Sequence, residues 1–90
     1  MKLIGNLTKK DNLWILQIPR PVLKVAELNG VKISSKVRVR IRIFENDGSS
    51  VETDAKVQTY GGDVCYLILP QQVVQSLKNK RGEVVFEVLD

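Results

Sequence analysis

The sequence predicts a mainly β fold, a small barrel built from two pseudo-repeated strand-helix-strand halves and capped by two short helices. Three observations predict it. Segments in which apolar and polar residues alternate recur along the chain, as in strands that bury one face. Two apolar segments end at a proline, Pro19 and Pro70, and a short stripe of helical spacing follows each. Ninety residues, 43% of them hydrophobic, suffice for one core, so residues 1–90 are expected to form a single domain.

The first half, about residues 2–45, is predicted to begin with a hairpin. Lys2–Thr8 and Asn12–Ile18 are rich in apolar and β-branched residues, and a polar stretch at 9–12 separates them. A helix of about ten residues is expected after Pro19, because an apolar stripe leads to the stop signal Asn29-Gly30.

The clearest strand is Lys36–Phe44, which alternates strictly. Its apolar face carries Val37, Val39, Ile41 and Ile43, and its basic face carries Lys36, Arg38, Arg40 and Arg42. A turn at 46–48 and a strand over Val51–Tyr60 begin the second half, about residues 50–90. The remaining predicted elements are a turn at 61–63, a buried strand over Val64–Leu69, a helical stripe of Val73, Val74 and Leu77, and a last strand over Glu83–Leu89.

The two halves are predicted to be an internal repeat. Placing Pro19 over Pro70 aligns 13–19 with 64–70, and both segments lead into a helix and then a strand. Two such units can bury their apolar faces against each other and close a barrel without an exposed edge.

The chain contains, in this order, the motifs Ile4-Gly5-Asn6-Leu7, Trp14-x-Leu16-x-Ile18-Pro19, the alternating segment Val37–Ile43, Tyr60-Gly61-Gly62, Tyr66-Leu67-x-Leu69-Pro70 and Gly82-Glu83-Val84-x-Phe86-x-Val88. Together they resemble a bacterial domain family of unknown function, DUF nineteen-zero-five. The resemblance covers nearly the whole chain and implies the double-split barrel superfold of AbrB and MazE. In the AbrB type each of two chains supplies one half, whereas both halves are present here. The resemblance implies a fold more than an activity, because fold does not fix function.

The composition argues against catalysis, cofactors and metal binding. The chain has no histidine, which removes the commonest general base and the commonest zinc ligand. Its single cysteine, Cys65, lies in the most apolar predicted strand, where burial keeps a thiol protonated and inert. No run of apolar residues is long enough to span a bilayer. We therefore expect a cytoplasmic protein that is not an enzyme and has no membrane partner.

The net charge of +4 favours anionic partners, and the arginine strand is the strongest functional signal. Arg38, Arg40 and Arg42 recur at roughly 7 Å, close to the spacing of successive phosphates. The alternative, which we favour, is a charge ladder. With Asp47 at the centre of the turn, Arg42 lies opposite Glu52 and Arg40 lies opposite Asp54.

Other basic residues lie outside this strand, and they could form a phosphate-binding surface if helix ends and loops share one side of the barrel. They are Lys9 and Lys10 in the first loop, Arg20 at the first helix, and Lys78, Lys80 and Arg81 after the second. An ordinary solvated surface explains them equally well. Trp14 is expected in the core rather than on a ligand. The two glycines after Tyr60 are expected to make a turn rather than to let Tyr60 line a groove.

Two functions remain open. The first is a non-catalytic binding or interaction module with an unidentified protein or small-molecule partner. The alternative is a DNA-binding regulator of the AbrB or antitoxin type that contacts phosphates through these basic residues. We expect a monomer or a weak homodimer.

Overall fold

The computed structural model describes residues 1–60 and 64–89 and confirms a small β-barrel with two short helices. The turn predicted at 61–63 lies outside the described residues. In chain order the elements are β1 (Lys2–Lys10), β2 (Leu13–Ile18), α1 (Arg20–Leu28), a 3₁₀ turn (Ile33–Ser35), β3 (Arg38–Phe44), β4 (Ser50–Tyr60), β5 (Val64–Leu69), α2 (Gln71–Ser76) and β6 (Gly82–Val88). Neither described helix is long and apolar enough to cross a membrane.

The first hairpin has a tighter turn than the sequence predicts. Asp11 and Asn12 alone form it, with φ angles of 50° and 64°, a conformation that short polar side chains tolerate and that matches the twist of the flanking strands. Lys9 and Lys10, expected in a loop, instead continue β1 and pair with Trp14 and Leu13. Strand register therefore sets the side of the sheet on which each of these two residues lies.

The strands form a closed ring in the order β1-β2-β5-β4-β3-β6, with every neighbouring pair antiparallel. β6 closes the ring by pairing with β1 from Lys2 opposite Glu87 to Leu7 opposite Gly82. Closure gives each strand a hydrogen-bonded neighbour on both sides, which removes the open edges that invite aggregation.

Strands from the first part of the chain, β1 to β3, and from the second part, β4 to β6, are interleaved in this ring. Exchanging β1 with β4, β2 with β5 and β3 with β6 reproduces the same strand order, read in the opposite direction. The register agrees at the junction of β2 and β5, where Leu16 pairs with Leu67, its counterpart when Pro19 is placed over Pro70. Both leucines are fully buried and lie at the centre of this pairing.

The helices bury their apolar stripes against the barrel. Leu23 and Ala26 of α1 join the core, and Gly30, with φ of 84°, terminates the helix as predicted. Val74 of α2 and Leu77 immediately after it belong to the same core. The largest fully buried side chains are Phe86, Leu7, Leu16, Ile18, Ile33, Ile41, Ile43, Leu67, Val39, Val74 and Cys65.

Two apolar residues lie in positions that differ from the sequence-based expectation. Val37 was expected on the apolar face of the third strand, but β3 begins at Arg38 and the Val37 side chain is 76% exposed. The reason is local, because the Lys36 N–H still donates to the Ile33 carbonyl of the 3₁₀ turn. Trp14 is half-buried and packs against the core rather than within it.

Gly5 is required by the close approach of β1 to β2. A methyl group at Gly5 would lie 2.9 Å from Leu16 Cδ1 and 3.0 Å from the Gln17 carbonyl oxygen. The second contact is backbone and cannot move without disturbing the pairing of β2.

We therefore predict that Gly5→Ala lowers the free energy of unfolding by about 1 to 3 kcal/mol, the cost of overpacking a filled interior. Urea denaturation followed by circular dichroism measures this. Asn6→Ala, at the exposed neighbouring position, is the control and should change stability by no more than about 0.5 kcal/mol. Equal stability of Gly5→Ala and the parent protein would contradict the close packing of β1 on β2.

Candidate functional site

The basic face of β3 forms the charge ladder that the sequence favours. Arg42 pairs in register with Glu52 and Arg40 with Asp54, as predicted. Arg42 Nη2 lies 3.1 Å from Glu52 Oε2, and Arg40 Nη1 lies 3.2 Å from Asp54 Oδ1. These two arginines are thereby held by carboxylates on the neighbouring strand.

A third carboxylate strengthens the ladder from the other side. β6 flanks β3, and Glu87 lies opposite Arg42 with a distance of 3.3 Å between Oε1 and Nη1. The terminal amine of Met1 lies 3.7 Å from the other Glu87 oxygen. Local sequence reasoning missed Glu87, because only the adjacency of β3 and β6 brings it to Arg42.

Arg38 differs from the other two arginines. It lies directly opposite Lys56 of β4, and no carboxylate of residues 1–60 and 64–89 forms an ion pair with either. Both side chains are exposed. Like charges placed opposite each other repel, so this end of the ladder is a cationic pair that no described carboxylate neutralises.

Beyond this pair, the outer surface becomes uncharged and aromatic. β2 and β5 contain no charged residue. We use the term tyrosine face for the outward side chains of β2, β5 and the last residues of β4, namely Leu13, Ile15, Gln17, Gln58, Tyr60, Val64, Tyr66 and Ile68.

Cross-strand register connects the tyrosine face to the cationic pair. Ile15 pairs with Ile68, Ile68 with Lys56, and Lys56 with Arg38, so these four side chains form one row across four strands. Ile15 is only 4% exposed although it lies outside the core cluster, which indicates that the side chains around it on the outer surface cover it.

The aromatic part of the tyrosine face is formed by Tyr60 and Tyr66. Their ring centroids are 5.4 Å apart with an interplanar angle of 63°, an edge-to-face arrangement. The Lys10 ammonium lies 5.6 Å from the Tyr66 ring centroid. Tyr60 ends β4, where the predicted strand Val51–Tyr60 also ends, and it is 54% exposed.

These side chains line a shallow pocket of about 70 Å³, together with Asp11 of the hairpin turn. Enclosed small-molecule sites measure roughly 300 to 1,000 Å³. The geometry therefore suits a ligand that lies across the surface with flat groups against the rings.

The other basic residues singled out in the sequence do not all lie at one end of the barrel. Lys9 lies over the Trp14 ring at the turn end of the first hairpin, whereas Arg20 begins α1 after the opposite end of β2. Lys80 and Arg81 lie between α2 and β6.

Lys78 takes a structural role. Its ammonium forms an ion pair with Asp47, and its backbone N–H donates to Glu45 Oε1 at 2.6 Å. These bonds attach the segment after α2 to the β3–β4 turn. Lys78 thus has carboxylate partners that its sequence neighbourhood does not indicate.

Cys65 is fully buried in β5, and burial raises the pKa of its thiol. The thiol therefore stays protonated at neutral pH, as expected of a core cysteine. Within the part of the chain that the structure describes, no three carboxylates or cysteines come together as a metal site.

The sequence matches no known family model and no curated protein, and the fold matches no solved structure. The resemblance to the AbrB and MazE barrels stays a prediction.

The ladder predicts a difference between two arginines of the same strand. Arg42→Ala removes contacts to two carboxylates and should lower the free energy of unfolding by about 0.5 to 1.5 kcal/mol. Arg38→Ala removes a repulsion and should leave stability unchanged or slightly raised. Urea denaturation at low and high salt measures both, and the Arg42→Ala effect should shrink with salt. Equal losses in the two variants would disprove the pairing.

Proposed function

We propose that this protein is a non-catalytic module that binds nucleic acid, with the tyrosine face as its contact surface. The single observation that carries the proposal is the cationic pair of Arg38 and Lys56. These residues lie opposite each other without a carboxylate partner among the described residues, at the edge of a surface whose central strands carry no charge.

An anion stabilises this arrangement. Two like charges across a strand pair cost free energy in the unbound protein, and a phosphate placed between them turns that repulsion into two attractions. Lys10, at the other side of the tyrosine face, supplies a third cation. Phosphate contacts need charge and tolerate loose geometry, which exposed lysine and arginine side chains provide.

The ladder does not support the alternative of a duplex-binding regulator that uses all three arginines. Arg40 and Arg42 are held by Glu52, Asp54 and Glu87, so these two arginines face three carboxylates. Phosphates would have to displace those partners. Of the predicted arginine triad, Arg38 is the member we retain as a phosphate contact.

Two features support a non-catalytic role. The chain has no histidine to act as general base, and its one thiol is buried and protonated. A ligand on the shallow tyrosine face also remains open to water, whereas catalytic sites generally exclude it.

The proposal is tested by fluorescence anisotropy with a labelled oligo(dT) of about 12 nucleotides and with its oligo(dA) duplex. We expect at least one form to bind, with an affinity that falls about tenfold or more between roughly 50 and 200 mM salt. Lys56→Gln should weaken that binding. It should also reduce, by about one unit, the steepness with which the logarithm of the binding constant falls with the logarithm of the salt concentration.

Lys24→Gln is the matched control, because it removes the same charge from an exposed position on α1. It should retain the parent's affinity. Absence of binding to either nucleic acid, or equal effects of the two lysine variants, would reject the proposal and favour a protein or small-molecule partner.

A further inference from the structure

We infer that the bound nucleic acid is single-stranded and that its unpaired bases stack on Tyr60 and Tyr66. This inference rests on the proposed function and specifies its ligand. The juxtaposition that carries it is an exposed tyrosine pair on the same strand surface as Lys10, Lys56 and Arg38.

The ring geometry leaves stacking surface available. In an edge-to-face pair, one ring covers at most one face of the other, and the Lys10 ammonium lies over the half-buried Tyr66 ring, so the more open stacking surface belongs to Tyr60. Tyr60 is more than half exposed at the end of β4. A tyrosine in this position presents a flat apolar surface to solvent, which a base can cover without rearrangement of the barrel.

The distance between the tyrosines and the cations suits the phosphate backbone of a nucleic acid whose bases are stacked on the rings. Tyr66 and Ile68 are two residues apart on β5, and Ile68 lies in the row of Lys56 and Arg38. Two residues along a strand span roughly 7 Å, so bases on the tyrosines and phosphates on the cationic pair can belong to one short stretch of nucleic acid.

Amide side chains flank the stacking position. Gln17 and Gln58 pair with Tyr66 from the two neighbouring strands. Each amide offers both donors and an acceptor, which suit the edges of an unpaired base. Aromatic rings between amides and cations form the combination used by proteins that bind single strands through stacking and charge.

A duplex cannot use this surface in the same way. Its base faces are already stacked on each other, and its base edges are reached by an element inserted into a groove. On the tyrosine face, the described strands lie in a barrel wall and offer rings and short amides. A duplex would contact only the cations.

The decisive comparison uses the same labelled oligo(dT), alone and annealed to oligo(dA), so that only base pairing differs. We expect the single strand to bind at least about tenfold more tightly than the duplex. Tyr60→Leu, which keeps an apolar side chain but removes the ring, should weaken single-strand binding by roughly 5- to 100-fold. Tyr60→Phe should stay within about twofold of the parent, because the ring is retained.

Leu28→Ala, at an 87% exposed position of α1, is the control for loss of an exposed apolar side chain and should leave binding unchanged. Thermal melting of each variant confirms that it is folded. Equal binding of single strand and duplex, or an unchanged affinity in Tyr60→Leu, would overturn the stacking inference while the nucleic-acid proposal stands. If the parent protein binds neither the single strand nor the duplex, the stacking inference and the nucleic-acid proposal are both overturned.

Discussion

Closure of the six-stranded ring is the constraint on which the rest of the structure depends. A closed barrel of this size fills its interior with one side-chain row from each strand, and the buried pair of Leu16 and Leu67 lies at one of the junctions between the first three strands and the last three. All backbone pairing is then internal to the ring. The opposite side-chain row of every strand lies on the outer surface, where its side chains can contact a ligand.

Closure also divides the outer surface into two unlike parts. On β3, β4 and β6, adjacent strands bring arginines and carboxylates together, and the charges of these side chains neutralise each other. On β2 and β5 no charge is present, and the surface is covered by apolar, amide and tyrosine side chains. Arg38 and Lys56 lie at the boundary between these parts. Of the basic residues on β3, the one without a carboxylate partner among the described residues is therefore the one beside the aromatic side of the barrel, although the arginine density is greatest in the ladder.

Local sequence patterns predict the strands and one register well, because alternation and turn chemistry act over a few residues. The pairing of Arg40 with Asp54 follows from the turn at Asp47 alone. Contacts between distant segments have no such local signal, and Glu87 was missed for that reason. Tyr66 was missed because β5 is apolar on both faces, so alternation does not distinguish the inward from the outward row. Tyr60 belongs to the last residue pair between β4 and β5, opposite Val64, and its exposure depends on this position at the end of the pairing.

The most direct test of the division between the two surfaces is a titration of isotope-labelled protein with the same oligo(dT), followed by amide chemical shifts in heteronuclear NMR spectra. We expect the largest shifts in β5 and in the last residues of β4, around Tyr66 and Tyr60. Amides of the ladder around Arg42 and Glu87 should move least. Largest shifts in the ladder, or on α1, would contradict the assignment of the tyrosine face as the binding surface.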